Sequence, residues 1–157
     1  EYVYDYLSRL GYINYEFSSF AKPGYECKNN VTYWNRGKYI GFGPSAHSFD
    51  GVKRKWNISN NQKYIEKIKV NSTAYESEIL SETDTLNEII MIGLRTSGGL
   101  DLDLIESKFS NLNLEKLRQQ IKLKIIDGVL VKSDNKLHPS RDYKFLTDGL
   151  ASDLFIT

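Results

Sequence analysis

Apolar residues recur at helical spacing in the first turns of the chain, through Val3, Tyr6, Leu7 and Leu10, and Gly11 stops the run. Tyr12 to Phe17 alternates and is rich in aromatic side chains, which predicts a strand. A helix, a glycine and a strand in that order are the parts of an α/β unit. Lys22-Pro23-Gly24 breaks the pattern, and Thr32-Tyr33-Trp34 and Lys38 to Gly43 are expected as short extended pieces. Tyr64, Ile65 and Ile68 mark a short helix between Asn57 and Asn71.

The strongest helical signal follows. Ser81-Glu82-Thr83-Asp84 has the form of a capping box, ahead of a stripe through Leu86, Ile89, Ile90, Gly93 and Leu94 that ends at Ser97-Gly98-Gly99. Asp101 and Asn113 are expected to cap two further helices, through Ile105 and Phe109 and then through Leu114, Leu117, Ile121 and Ile125. Asp127-Gly128 closes the second. Val129 to Lys132 is predicted as a strand, returning through Lys136-Leu137 or through Tyr143 to Leu146, with a last helix over Asp148 to Ile156. Short amphipathic helices followed by a hairpin predict an α+β chain whose C-terminal part is helical and winged-helix-like. A first residue already inside a helix, with no methionine, reads as a piece of a longer protein.

Composition narrows the functional classes. The 157 residues are 40% hydrophobic and 26% charged, enough for a buried core in one or two domains. A net charge of +1 gives no broad attraction for nucleic acid. Lys116, Arg118, Gln119 and Lys122 are the residues a recognition helix would offer, yet any solvated helix face looks the same, so a packing module is preferred to a nucleic-acid reader. No apolar run approaches the ~20 residues that cross a bilayer. The single cysteine, Cys27, excludes an internal disulfide and any Cys-x-x-Cys metal set, in keeping with a reducing, cytoplasmic setting. Asn30, Asn57 and Asn71 open glycosylation-type triplets that chance explains in so asparagine-rich a chain.

Gly11-Tyr12-Ile13-Asn14-Tyr15-Glu16-Phe17-Ser18-Ser19-Phe20-Ala21-Lys22-Pro23-Gly24 resembles a segment of the oxygen-independent coproporphyrinogen III oxidase-like radical S-adenosylmethionine proteins, nearest their HemW heme-chaperone branch. The likeness continues through Cys27 to Trp34, Tyr39 to Phe49, Arg54 with Asn57, Tyr64, Glu88, Gly93 to Gly99, and Phe145 to Gly149. The order of these segments carries more weight than any one of them.

The resemblance implies a division into residues 1–50, the end of a partial α/β radical SAM barrel, a connecting segment 51–80, and a HemN-type C-terminal domain 81–157. It implies a parent protein that holds a 4Fe-4S cluster on three cysteines, binds S-adenosylmethionine and handles heme. One cysteine cannot supply three thiolates, so this chain by itself is expected to carry no cofactor and perform no radical chemistry. Its expected partners are the N-terminal radical SAM part, heme, and a second copy meeting it at the exposed barrel edge. Coproporphyrinogen oxidation by the parent, and a nucleic-acid-binding module, stand as alternatives.

Candidate site residues follow from the same likeness. The HemW pattern His-Asn-x-x-Tyr-Trp is matched by Asn30, Tyr33 and Trp34, but Asn29 stands where the histidine belongs. An amide is a poor ligand for heme iron, whereas a thiolate is a good one; Cys27, two residues earlier, reads either as an inert thiol, the preferred reading of a lone cysteine beside aromatic residues, or as a donor to the iron. Tyr33 and Trp34 are expected either to pack on a porphyrin plane or to pack within the protein. Gly41, Gly43, Ser45 and His47 lie in the segment implied to face S-adenosylmethionine. The two glycines allow close approach of the backbone to a ligand or to another strand, and His47 reads equally as structural or functional. His138 is expected as a surface loop residue. Arg54 and Arg95 suit propionates, with Arg95 preferred as a cation that pairs with an acidic side chain and joins domains.

Overall fold

The computed structural model describes residues 2–109 and 114–156, so the expected cap at Asn113 lies outside the described residues. The chain forms two compact units, one of residues 1–27 with 81–157 and one of residues 28–80.

The first unit opens with helix α1 (Tyr2–Arg9), which Gly11 ends at a φ of 80°, and a hairpin of β1 (Ile13–Glu16) and β2 (Ser19–Ala21). The strand expected over Tyr12 to Phe17 therefore forms but folds straight back. The physical cause is local: the Glu16 carboxylate accepts from the Ser18 amide (3.2 Å) and hydroxyl (3.1 Å) and closes the turn. Buried Asn14 donates to the carbonyls of Glu16 (2.6 Å) and Ser19 (3.1 Å), tying the two strands. Every strand pairing among the described residues is antiparallel, so the helix–glycine–strand run completes no parallel unit here.

The rest of this unit comprises α4 (Glu82–Arg95), β6 (Leu100–Asp101), α5 (Leu102–Lys108), α6 (Glu115–Ile126), β7 (Leu130–Ser133), β8 (Lys136–Pro139), a 3-10 turn (Arg141–Leu146) and α7 (Thr147–Asp153). The capping box at α4 is complete, with Ser81 Oγ accepting from the Asp84 amide and the Asp84 carboxylate accepting from the Ser81 amide. Asp101 caps α5 by accepting from Leu104 N at 2.9 Å. Leu86, Ile90 and Leu94 of α4 meet Leu100, Ile105, Leu117, Leu130, Leu137 and Leu154 in one continuous core. The sheet order is β6-β8-β7, and the β7–β8 turn places Asp134 and Asn135 at positive φ. Of the two return strands expected, Lys136-Leu137 is the one that forms; Tyr143 to Leu146 is part of the 3-10 turn.

Gly93 sets the spacing of this core. A Cβ there would lie 2.6 Å from Leu100 Cα and 2.9 Å from Leu100 Cβ, so only glycine lets α4 ride this close to β6.

The second unit comprises α2 (Lys28–Trp34), β3 (His47–Phe49), β4 (Lys53–Asn57), α3 (Asn61–Lys69) and β5 (Tyr75–Ile79), with sheet order β3-β4-β5. Thr32-Tyr33-Trp34, expected as extended, is helical. The half-buried residues Asn30, Val31 and Trp34 recur at helical spacing, and the Thr32 hydroxyl donates to Lys28 O at 2.8 Å. Among the described residues, Lys38 to Gly43 makes only one bridge, Tyr39 with Phe49. The helix near Asn57 to Asn71 forms as α3, capped by Asn60 accepting from Lys63 N.

Candidate functional site

The loop from Gly41 to His47 is held by contacts that the sequence only outlines. Gly41 N donates to Ser48 Oγ at 3.0 Å, and a Cβ at Gly41 would meet His47 O at 2.2 Å. The close approach that glycine permits is thus made to the protein's own strand β3. Gly43 turns at a φ of 93° and Ser45, a non-glycine, at 61°. Asn57 closes the loop twice: its side-chain amide donates to Gly43 O at 2.8 Å, and its backbone amide to Ala46 O at 2.9 Å. Ser45 N reaches Ile58 O at 3.2 Å. The loop therefore presents Phe42, 87% exposed, together with the exposed Ser45 and His47.

Aromatic contacts link this loop to α2. Tyr33, still 43% exposed, meets Tyr39 edge-on at 4.6 Å, and Tyr39 exchanges both backbone hydrogen bonds with buried Phe49. Trp34 and Asn30 on the same helix are half-buried. Cys27, the residue before α2, carries an exposed thiol. Arg36 and Arg54 lie over the Phe49 ring at 5.2 and 5.7 Å. Burial first, and Arg54 second, lower the Arg36 pKa from its usual value.

Beside Phe49 opens a cavity of about 640 Å³, lined by Lys38, Tyr39, Ser48, Lys53 and Lys55 among others. Its one carboxylate, Asp50, accepts from the amides of Lys53 (2.7 Å) and Val52 (3.0 Å), which holds its pKa below the ordinary carboxylate range. Three ammonium groups around an aromatic floor suit an anionic, partly apolar ligand.

Sequence reasoning missed Asn57 as the brace of the loop, together with Ser48 and Arg36. Asn57 carried a signal only through its place in the resemblance. His138, expected in a surface loop, is half-buried in β8 against Gly99, where a Cβ would fall 2.5 Å from the imidazole. Arg95 makes the pairing expected of it, with Asp148 at 2.5 Å, and also covers Phe17 at 5.0 Å. On α6, Arg118 is held in a fork by Glu106, at 2.8 and 2.5 Å, so the one arginine that a recognition helix would offer is paired on its own domain.

The HemN C-terminal domain family matches residues 80–142. The heme chaperone HemW of Lactococcus lactis subsp. lactis is 32% identical over 136 residues, 87% of this chain and 35% of that protein. HemW of Bacillus subtilis is 33% identical over 111 residues, 69% of this chain and 29% of its own length. The chain belongs to the HemN/HemW-like radical SAM family. It spans about a third of the length of the curated relatives it matches. The HemN/HemW-like fold extends over nearly all of it: the structure of Escherichia coli coproporphyrinogen III oxidase HemN, a radical SAM enzyme, aligns with a TM-score of 0.75 at 17% identity, covering 98% of this chain and 39% of that one.

A cluster of the kind radical SAM chemistry uses does not fit this chain. It needs three thiolates, and the sequence has one cysteine. Among the described residues no group of three or more His, Cys, Asp or Glu is placed to hold a metal ion. No helix among them is long and apolar enough to cross a membrane.

Proposed function

We propose that this chain is the C-terminal part of a HemW-like protein that handles heme in the cytoplasm, working with an N-terminal radical SAM part that supplies the iron–sulfur cluster and S-adenosylmethionine. The identity of about a third to HemW proteins, over most of the chain, supports this reading over coproporphyrinogen oxidation. The likeness to the oxidase, at 17% identity, is one of fold. Residues 1–50 are the end of the barrel on this reading, 51–80 the connection, and 81–157 a winged-helix-like domain. In that domain α4, α5 and α6 stand with the sheet β6-β8-β7.

The observation that carries the heme assignment is the pairing of an exposed aromatic face with a basic cavity. Tyr33 stands edge-on to Tyr39, and Tyr39 lines the cavity that Lys38, Lys53 and Lys55 surround. A porphyrin packs its plane on such rings and places propionates near such ammonium groups. Asn30, Tyr33 and Trp34 are the residues of α2 assigned to this contact, and Cys27 is the thiolate donor to iron. Gly41, Gly43, Ser45 and His47 form the loop assigned to S-adenosylmethionine in the whole protein. A second copy is assigned to the exposed edge of the barrel end within residues 1–50.

The test compares heme with metal-free coproporphyrin III, each titrated into the purified chain. The chaperone reading expects saturable heme binding and much weaker binding of the metal-free ring, because an iron ligand contributes. Equal binding of both, or preference for coproporphyrin, favours the oxidase reading.

A further inference from the structure

Away from that loop, the unit formed by residues 1–27 and 81–157 encloses a cavity of about 390 Å³, within the range of small-ligand pockets. Its wall carries Lys144, Arg95 and His138, with Tyr4, Tyr12 and Ser97 between them, and among the described residues no carboxylate lines it. Two carboxylates on the neighbouring elements α1 and α7 are already engaged, whereas the exposed Asp142 on the 3-10 turn does not line the cavity. Asp5 of α1 pairs with Arg141 at 2.6 Å, and Asp148 of α7 pairs with Arg95 at 2.5 Å.

Lys144 has no anionic partner among the described residues. Its ammonium lies 4.2 Å from the centre of the Tyr4 ring, and burial alone lowers its pKa. A half-buried cation with an aromatic ring for its neighbour gains from a negative ligand that replaces its lost hydration. His138 stands on the central strand of its sheet with its ring seated on Gly99, so the wall is rigid. The Ser97 backbone is fixed by donating to Tyr15 O at 3.1 Å.

We infer that this cavity is a binding site for a small organic oxyanion, a molecule bearing one phosphate or carboxylate group, held by Lys144 and His138 with the tyrosines against its apolar part. Arg95, occupied with Asp148, contributes field rather than a fork.

The test is a titration of the isotopically labelled chain with inorganic phosphate and, separately, with acetate at constant ionic strength, followed by amide shifts. Saturable shifts centred on Thr96, Ser97 and His138 are expected, with Lys144→Gln raising the apparent Kd about tenfold and Lys144→Arg retaining it, as befits loss of one charged contact. A response to phosphate alone identifies a phosphate ester as the ligand class, and a response to acetate identifies a carboxylate. If Lys144→Gln does not fold, His138→Phe, which keeps a ring against Gly99, is expected to weaken binding in the same way. Linear drift with both anions, or saturable shifts unchanged in the variants, overturns the inference.

Discussion

Gly93→Ala is the perturbation whose outcome the packing fixes most closely. In an open helix the change would stabilise by about 1 kcal/mol, because alanine is the better helix former. Here the new methyl meets three atoms of Leu100, at 2.6, 2.9 and 3.0 Å, and the nearest is backbone. Leu100 is fully buried in β6, which β8 holds in register, so neither side can turn away. Overpacking of this kind costs roughly 1–3 kcal/mol and more where backbone must move. Taking the upper end and subtracting the helix gain leaves a net loss of about 2 kcal/mol, or roughly 8–16 °C in Tm for a unit of this size. Gly149→Ala in α7 is the matched control. Nothing lies within 4 Å of its added Cβ, and a rise of about 0.5 kcal/mol is expected. Urea unfolding followed by circular dichroism measures both, with an unchanged slope marking a true stability effect. A Gly93→Ala chain as stable as the wild type would refute the close α4–β6 contact.

Three further outcomes follow from the same geometry. Arg95→Met, which removes the Asp148 pair and the contact with Phe17, is expected to cost about 1–2 kcal/mol, and a double-mutant cycle with Asp148→Asn should assign well under half of it to the ion pair, since Asp148 is exposed. Asn14→Leu strips one buried and one partly buried hydrogen bond from the first hairpin and should lower stability by about 1–3 kcal/mol, most visibly as faster amide exchange at Ser97, whose partner is Tyr15 O. The Ser81 hydrogen bonds lower the Asp84 pKa, so its contribution is present above the unfolded carboxylate value near 3.9 and is lost as pH falls through the lower folded value. Asp84→Asn should therefore be the less stable chain at pH 7, with the difference vanishing near pH 2 in urea midpoints. A difference independent of pH would contradict that assignment.

Much of the first unit was legible because its signals are local. The Ser81–Asp84 box, the Leu86–Leu94 stripe, the Asp101 cap and the stop at Gly128 each act within a turn or two, and each appears where its residues stand. The sheet of the second unit left no such trace. Strands β4 and β5 read Lys-Arg-Lys-Trp-Asn and Tyr-Glu-Ser-Glu-Ile, and their support comes across the ladder: Arg54 opposite Glu78, the Trp56 indole donating to Glu76 at 3.1 Å, Lys55 over Tyr75 at 5.1 Å. Pairs of that kind exist only after the strands meet, so hydrophobic alternation does not report them. The seat of His138 on Gly99 is hidden for the same reason. At the candidate site, the close approach of backbone that glycine permits was legible in the sequence and is made at Gly41, whereas the brace by Asn57 was not legible, because it is made across fourteen residues.

Heme titration of the chain, followed in the Soret region and compared with Cys27→Ala and Tyr33→Ala, tests the central claim most directly. The account predicts saturation near one heme per chain, a Soret band that shifts or is lost in Cys27→Ala, and weaker binding in Tyr33→Ala. Absence of saturable binding, or identical spectra and affinities for all three chains, would contradict it and move heme handling to the part of the protein that lies outside this chain.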